Sequence, residues 1–167
     1  MEKHVMIKLF PLPLTAELFA PFGEVIEEPA IDDGSKPDRR FNDLASLDAG
    51  LDGRVMLSIL RMRSTIQLPY ELSKLECHPL GSQAFVPCSS TRFLVVVAPA
   101  GSSPELQNLR AFITDGRQGI NYHKGIWHAP MATLTAANFL VIDRSGPGNN
   151  CEVFPLTNVS VTNEASV

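Results

Sequence analysis

The sequence lacks the features that direct a chain to nucleic acid or to a disulfide-stabilised fold. It has only three cysteines, Cys77, Cys88 and Cys151, an odd number without a Cys-x-x-Cys pattern, so we expect reduced thiols rather than a disulfide framework. The formal net charge is −4 and no run is rich in lysine or arginine. This composition argues against a nucleic-acid-binding surface.

Long apolar runs are absent as well. The longest, near residues 93–98 and 136–142, are far too short to span a bilayer. The N-terminus has no charged segment followed by a long apolar run and a cleavage site. We therefore expect no membrane association and a cytoplasmic location.

What the chain does contain is the composition of one globular domain over residues 1–167. Hydrophobic residues make up 44% and charged residues 19%, and thirteen prolines and eleven glycines separate short apolar segments. Such punctuation is typical of strands joined by turns. We predict an all-β protein with few short helices, a sandwich or barrel.

The individual elements follow from alternation and from turn residues. Strands are predicted at Val5–Phe10, Gly23–Glu27, Val55–Met62, Gln83–Pro87, Phe93–Ala98, Leu109–Thr114, Gly119–His123 and Asn138–Asp143, with an extension of the sheet at Gln67–Tyr70. Thr15 is the predicted N-cap of a short helix, Ala16–Phe19. The strands around Cys88–Arg92 are expected to form a hairpin, and Pro29–Arg39 a loop. The tail after Val153 has only weak signals.

The residues best suited to catalysis or metal binding lie in two short segments, residues 71–87 and 119–130. These segments contain three of the four histidines. Glu76 and His78 are two residues apart, so on a strand their side chains share one face. Gln83 begins the following strand. In the second segment, His128 comes shortly after a tight turn at Gly125.

This spacing resembles the two motifs of the cupin barrel. In cupins the first motif reads His-x-His, three or four residues and then Glu, and the second reads Pro-x-Gly-x-x-His. The corresponding segments here are Glu76-x-His78-x-x-x-x-Gln83 and His123-x-Gly125-x-x-His128. Glu76 thus stands in place of the first histidine, Gln83 in place of the glutamate, and His123 in place of the proline.

Longer strings are similar to those of the ureidoglycolate lyase family, formerly called ureidoglycolate hydrolase. They are RFNDLA (40–45), HPLGSQAFVP (78–87), RAFITDG (110–116), GINYHKGIWH (119–128) and FLVIDR (139–144). The similarity extends from about Lys8 to Val153. It implies a cupin-like β-barrel or jelly-roll sandwich, a homodimer, and a role in allantoin degradation, where (S)-ureidoglycolate is cleaved to glyoxylate and urea.

The implied reaction suggests a role for each candidate residue. His78 and His128 are candidates for base and acid, or for metal ligands. Glu76 and Gln83 would bind the urea amide, orient the imidazoles or complete a metal shell. Arg61 is the first candidate for a carboxylate clamp, because its guanidinium matches a carboxylate bidentately.

The remaining candidates are assigned more generally. Arg40 is the second candidate for the clamp, and Asp43 would orient it or contact the urea group. His123 is placed in the site or beside it. Tyr122 and Trp127 would wall the pocket, although core packing is the usual role of such side chains.

A divalent metal is compatible with these residues. Two imidazoles, a carboxylate and an amide oxygen from His78, His128, Glu76 and Gln83 can hold Ni²⁺, Zn²⁺ or Mn²⁺, and the family resemblance favours nickel. No organic cofactor is expected. Two alternatives stay open: another metal-dependent cupin enzyme (an oxygenase or isomerase), or a non-catalytic barrel that binds a small carboxylate.

Overall fold

The computed structural model of the chain describes residues 6–29 and 37–163. The strands are β1 (Ile7–Leu9), β2 (Leu12–Pro13), β3 (Gly23–Ile26), β4 (Arg54–Met62), β5 (Tyr70–Glu71), β6 (Lys74–Cys77), β7 (Gln83–Pro87), β8 (Phe93–Ala98), β9 (Arg110–Ile113), β10 (Gly119–Tyr122), β11 (Trp127–His128), β12 (Ala132–Thr133), β13 (Ala137–Ser145), β14 (Glu152–Pro155) and β15 (Val159–Val161). One α-helix, α1 (Ala16–Phe19), and a 3₁₀ turn (Leu106–Asn108) complete the elements.

Three sheets organise these strands. A five-stranded sheet has the order β3-β10-β7-β13-β4, and a seven-stranded sheet has the order β14-β6-β11-β8-β9-β2 with β12 joined to β8. A third sheet, β1-β15-β5, has three strands. The predicted all-β class with few short helices is confirmed, and the architecture agrees with a cupin-like sandwich.

Two hydrophobic cores lie on either side of the seven-stranded sheet. Strand β8 shows this most clearly, because all six of its residues are buried. Phe93, Val95 and Val97 belong to the first core, which the five-stranded sheet shares, whereas Leu94 and Val96 belong to the second core, together with Val159 and Val161 of β15. A strand covered on both faces has no polar face, so its sequence reads as a continuous apolar run.

Several local predictions are confirmed. The helix Ala16–Phe19 forms where expected, and its N-cap hydroxyl, Thr15 Oγ1, accepts a hydrogen bond from the Leu18 amide at 3.2 Å. The predicted bounds Gln83–Pro87 and Phe93–Ala98 match those of β7 and β8. Val5 and residues 30–36 of the predicted loop lie outside the described residues.

The predicted hairpin between Gln83–Pro87 and Phe93–Ala98 is wrong. Strand β7 pairs with β10 and β13, whereas β8 pairs with β9, β11 and β12. The connection therefore crosses from one sheet to the other instead of folding back. Both edges of β7 are occupied by strands distant in sequence, which local turn signals do not reveal.

The tail after Val153 is more ordered than its weak signals indicated. Strand β15 pairs in parallel with β1 and is buried against the second core, up to residue 163, where the described residues end. Among the cysteines in the described ranges, Cys77 is buried, Cys88 and Cys151 are exposed, and all three are free thiols. No helix within the described ranges is long and apolar enough to cross a membrane.

Candidate active site

A cavity of about 490 Å³ opens between the two larger sheets. Its polar lining comes from five side chains on five strands of those sheets. These are Ser58 (β4), Glu76 (β6), Gln83 (β7), His128 (β11) and Asp143 (β13). Apolar side chains complete the wall, including Leu60, Met62, Phe85, Pro130, Met131 and Val141.

The pairing of β6 with β11 brings the two predicted motifs together. Their antiparallel register sets His128 opposite Glu76 and Trp127 opposite Cys77. Directly opposite residues share one face of a sheet, so Glu76 and His128 both face the cavity. Cys77 faces the second core instead, as the alternation along β6 predicts.

The turn before β11 holds the second motif against the first. Gly125 has a φ of +82°, a conformation that glycine adopts without steric cost, and its amide donates a hydrogen bond to the carbonyl of His78 at 2.9 Å. The imidazole rings of His78 and His128 are 5.2 Å apart between centroids. One ligand atom from each of Glu76, His78 and His128 lies within 4.8 Å of the others.

Backbone carbonyls determine the tautomer of both imidazoles. His78 Nδ1 lies 2.6 Å from the carbonyl oxygen of Asn150, and His128 Nδ1 lies 3.1 Å from that of Ile126. A carbonyl oxygen only accepts hydrogen bonds, so each Nδ1 carries the proton and donates. Each Nε2 is therefore left with a free lone pair, and His78 Nε2 is buried without a hydrogen-bond partner among the described residues.

Burial keeps His128 neutral. Its side chain is 2% exposed and stacks on the Tyr122 ring at 4.1 Å between centroids with an angle of 12°. Burial first, and the neighbouring His78 second, lower the pKa of His128 to about 3. Burial likewise raises the pKa of the Tyr122 hydroxyl, so the ring pair carries no charge at neutral pH.

Two further contacts organise the acidic and amide groups. Gln83 Nε2 donates a hydrogen bond to Asp143 Oδ2 at 3.3 Å, which directs the Gln83 amide oxygen away from the carboxylate. At the other side, Lys74 Nζ lies 2.7 Å from Glu76 Oε1. The hydrogen bond and charge of Glu76 raise the pKa of Lys74.

The donor set fits a divalent transition metal. Two imidazole nitrogens, a carboxylate and an amide oxygen are the ligand types that nickel, zinc and manganese accept. The Nδ1 bonds to carbonyls are the outer contacts that usually orient metal-binding histidines. The buried, unpartnered Nε2 of His78 also calls for a ligand, because an unsatisfied buried polar atom costs free energy.

The structure does not bring the predicted carboxylate clamp to this cavity. Arg61 is exposed on the outer face of β4, opposite Asn138 of β13, whereas its neighbours Leu60 and Met62 face the cavity. Arg40 and Asp43 are also exposed and do not line it. Among the described residues that line the cavity, none is an arginine or a lysine.

The predicted aromatic residues and His123 lie around the cavity rather than in its wall. Tyr122 supports His128 from the first core. Trp127 packs in the second core and donates from Nε1 to the carbonyl of Gly101 at 3.0 Å. His123 is half exposed, and its Nε2 lies 3.2 Å from Glu24 Oε2.

Sequence reasoning missed three residues that shape the site: Lys74, Asp143 and Asn150. Asp143 was detectable, because it continues the inward alternation of Phe139 and Val141 with a charge. Asn150 left no such signal. Its carbonyl holds His78, and its Oδ1 accepts from the Leu80 amide at 2.7 Å, a contact between segments far apart in sequence.

Comparison with known proteins identifies close relatives. The family profile described as "Ureidoglycolate lyase" matches residues 6–163. Ureidoglycolate lyase of Pseudomonas syringae pv. syringae is 48% identical over 154 residues, covering 88% of this chain and 89% of the relative. The proteins of the same name from Pseudomonas fluorescens strain SBW25 and Pseudomonas aeruginosa strain LESB58 are each 48% identical over 147 residues, covering 84% of this chain and 86% and 85% of those relatives.

Proposed function

The chain belongs to the ureidoglycolate lyase family, and on this premise we propose that it cleaves (S)-ureidoglycolate to glyoxylate and urea in the cytoplasm, as a step of allantoin degradation. The family match covers most of the chain. The observation that carries the proposal is the convergence of Glu76, His78 and His128 beside one cavity.

The charge of the cavity supports a metal ion as part of the site. Glu76 and Asp143 are both acidic and line the cavity, and the substrate itself carries a carboxylate. Lys74 already pairs with Glu76, but no lysine or arginine lines the cavity among the described residues, so a cation bound there would favour an anionic substrate. We propose that His78, His128, Glu76 and Gln83 hold a divalent metal, with nickel preferred over zinc and manganese. When bound, it would compensate the substrate charge and make the substrate hydroxyl more acidic.

The state of His128 favours a ligand role over a base role. An imidazole with a pKa of about 3 binds few protons near neutral pH, which makes it a weak general base. The same neutral ring offers its Nε2 lone pair to a metal at physiological pH. His78 has the same tautomer, since its Nδ1 also meets a carbonyl oxygen.

The reaction itself needs one proton transferred within the substrate. The carbon that bears the hydroxyl, the carboxylate and the urea nitrogen becomes the aldehyde carbon of glyoxylate. The hydroxyl loses its proton as the C=O bond forms, and the departing nitrogen gains one as the C–N bond breaks; no water is consumed. We propose that the Glu76 carboxylate takes the hydroxyl proton and returns it to the nitrogen; its Oε1, which pairs with Lys74, would keep a lone pair for this proton while the other oxygen binds the metal.

The clamp assigned to Arg61 stays a prediction. Since the side chain points outward in the described protomer, the KM of Arg61→Ala is its direct test. A raised KM in a folded variant would assign the guanidinium to substrate binding. An unchanged KM would leave the metal as the cation that binds the carboxylate.

We also propose that two copies associate through β4. This nine-residue strand is the edge of its sheet, and its outer face exposes Val55, Leu57 and Ile59 by 50%, 65% and 69%. Long apolar edge strands pair readily with a second chain. An antiparallel pair of identical edges forms a closed two-fold dimer.

The experiment that tests the function compares the purified protein with a buffer blank, because ureidoglycolate decays without a catalyst. We expect equimolar glyoxylate and urea, loss of activity after chelation, and recovery with Ni²⁺. Activity that survives chelation would assign the chemistry to side chains alone. If the protein does not accelerate cleavage of ureidoglycolate with added Ni²⁺, Zn²⁺ or Mn²⁺, the lyase proposal is contradicted. Binding without turnover would then indicate a binding protein, and oxygen consumption with bound iron an oxygenase.

A further inference from the structure

Asp143 occupies an unusual place in an apolar strand. Along β13, Phe139 and Val141 face inward and belong to the first core. Asp143 follows in the same alternation, and its side chain lines the cavity. A carboxylate at such a position costs free energy unless hydrogen-bond donors satisfy both of its oxygens.

The two oxygens of this carboxylate have different surroundings. Oδ2 accepts the hydrogen bond from Gln83 Nε2 at 3.3 Å. Oδ1 is buried and has no hydrogen-bond partner among the described residues. Buried polar atoms are nearly always satisfied, so Oδ1 is the cavity atom that calls for a hydrogen-bond donor from a ligand.

The chemistry of ureidoglycolate offers one end that fits and one that does not. Its ureido group carries N–H donors, which an ionised carboxylate accepts in strong, charge-assisted bonds. Its carboxylate end has no donor and would be repelled. We propose that Asp143 is a substrate-binding residue whose Oδ1 accepts an N–H of the ureido group while Oδ2 holds the amide of Gln83 in place.

This inference rests on the proposed function and adds the direction in which the substrate lies. The ureido end points towards Asp143 on β13, and the carboxylate end lies towards His78 and His128 on the opposite sheet. Gln83 lies between the two ends of the substrate. Its Nε2 donates to Asp143, which fixes the orientation of the Gln83 amide and leaves the Gln83 amide oxygen free to bind the metal.

Two analogues and two variants separate the ureido contact from other effects. Oxalurate, in which a carbonyl replaces the carbinol carbon, keeps the ureido group and the carboxylate but cannot be cleaved. Glyoxylate keeps only the carboxylate fragment. Asp143→Asn retains an oxygen that can accept from Gln83 but turns a donor towards the substrate, whereas Asp143→Ala removes both contacts. Asp52→Asn, at an exposed turn residue outside the cavity, is the charge-matched control.

For Asp143→Asn we expect the affinity for oxalurate to fall at least about tenfold, as for a hydrogen bond to a charged group, while glyoxylate binding changes less than about threefold. Ni²⁺ affinity, measured by competition with a coloured chelator, should be retained in Asp143→Asn. In Asp143→Ala it should fall about tenfold, because the Gln83 amide loses its support. The control should match the wild type throughout.

Thermal unfolding of the chelated proteins distinguishes a site role from a structural one. Asp143→Asn keeps an acceptor for the Gln83 amide, so its Tm should stay close to that of the wild type, whereas Asp143→Ala removes that partner and should lower Tm slightly; both variants should fold. A lowered Tm with unchanged oxalurate binding would overturn the inference, as would equal effects on oxalurate and glyoxylate. If the wild type cleaves ureidoglycolate and Asp143→Asn binds oxalurate as tightly as the wild type does, only this inference is refuted. Oxalurate binding without turnover of ureidoglycolate would refute only the proposed function, and binding of neither compound would refute both.

Discussion

At the scale of single residues, burial sets the protonation state of His128. Its ring is stacked on Tyr122, and its Nδ1 donates to the carbonyl of Ile126. These contacts are made by the neutral imidazole, and a charge at this depth would lose its hydration. His128 can therefore offer the lone pair of its Nε2 to a metal over the whole physiological pH range.

The lowered pKa of His128 predicts a pH dependence of stability. The unfolded chain takes up the proton near pH 6.5, whereas the folded chain resists it until about pH 3. The free energy of unfolding should therefore decrease as pH falls below 6.5, by up to about 1.4 kcal/mol per pH unit. Urea unfolding of the chelated protein between pH 7 and pH 5 measures this slope.

His128→Gln provides the comparison for that measurement, because glutamine does not titrate. Its unfolding free energy should vary less over the same range, by roughly 1–2 kcal/mol in total according to the same linkage. Identical slopes for the two proteins would show that His128 is not held neutral in the folded state.

Glu76 is the second residue whose role can be isolated. Glu76→Gln keeps an oxygen donor for the metal but removes the proton acceptor. We expect kcat to fall by roughly 10²-fold or more, the usual contribution of general acid–base catalysis, while Ni²⁺ affinity falls much less. Glu152→Gln, on the exposed neighbouring strand β14, is the control. A parallel loss of kcat and metal affinity would instead make Glu76 only a ligand.

At the scale of elements, the loop after β13 acts as a support for His78. Asn150 contacts this region twice: its carbonyl accepts from His78 Nδ1, and its side-chain oxygen accepts from the Leu80 amide. The position of an imidazole from the first motif thus depends on a loop about seventy residues away.

Asn150→Ala tests this support. The backbone carbonyl remains, but the Leu80 amide loses its partner, so we expect a loss of about 1–3 kcal/mol in the free energy of unfolding. Ni²⁺ affinity should fall severalfold as His78 becomes less well positioned. Asn149→Ala, in the same loop but bonded at 3.3 Å to the amide of Cys151, should retain metal affinity. Equal losses in both variants would indicate a general loosening of the loop.

At the scale of the whole molecule, the outer face of β4 is the surface that a second copy would cover. Light scattering after gel filtration should give about twice the chain mass of 18.2 kDa. Leu57→Lys with Ile59→Lys should shift the protein to monomer, because the charges replace apolar contacts. Leu51→Lys, at a fully exposed position outside this strand, should remain a dimer. A monomeric wild type would contradict the dimer proposal.

The sequence predicted those features that depend on neighbours along the chain. Short apolar runs bounded by turn residues located β7 and β8 to the residue, and the Thr15 cap located α1. Alternation with a period of two residues along β6 predicted that Glu76 and His78 share one face and that Cys77 lies on the other. The motif strings identified the family, which the comparisons confirmed.

The tertiary structure decided what depends on pairing between distant segments. A period of two says that Arg61 and Leu60 face opposite sides, but only the pairing of β4 with β13 decides which side is the cavity. The same long-range register separated β7 from β8, placed β15 in a buried sheet, and brought Asp143 to Gln83 and Asn150 to His78. These contacts join residues far apart in sequence, so no local pattern of side chains encodes them.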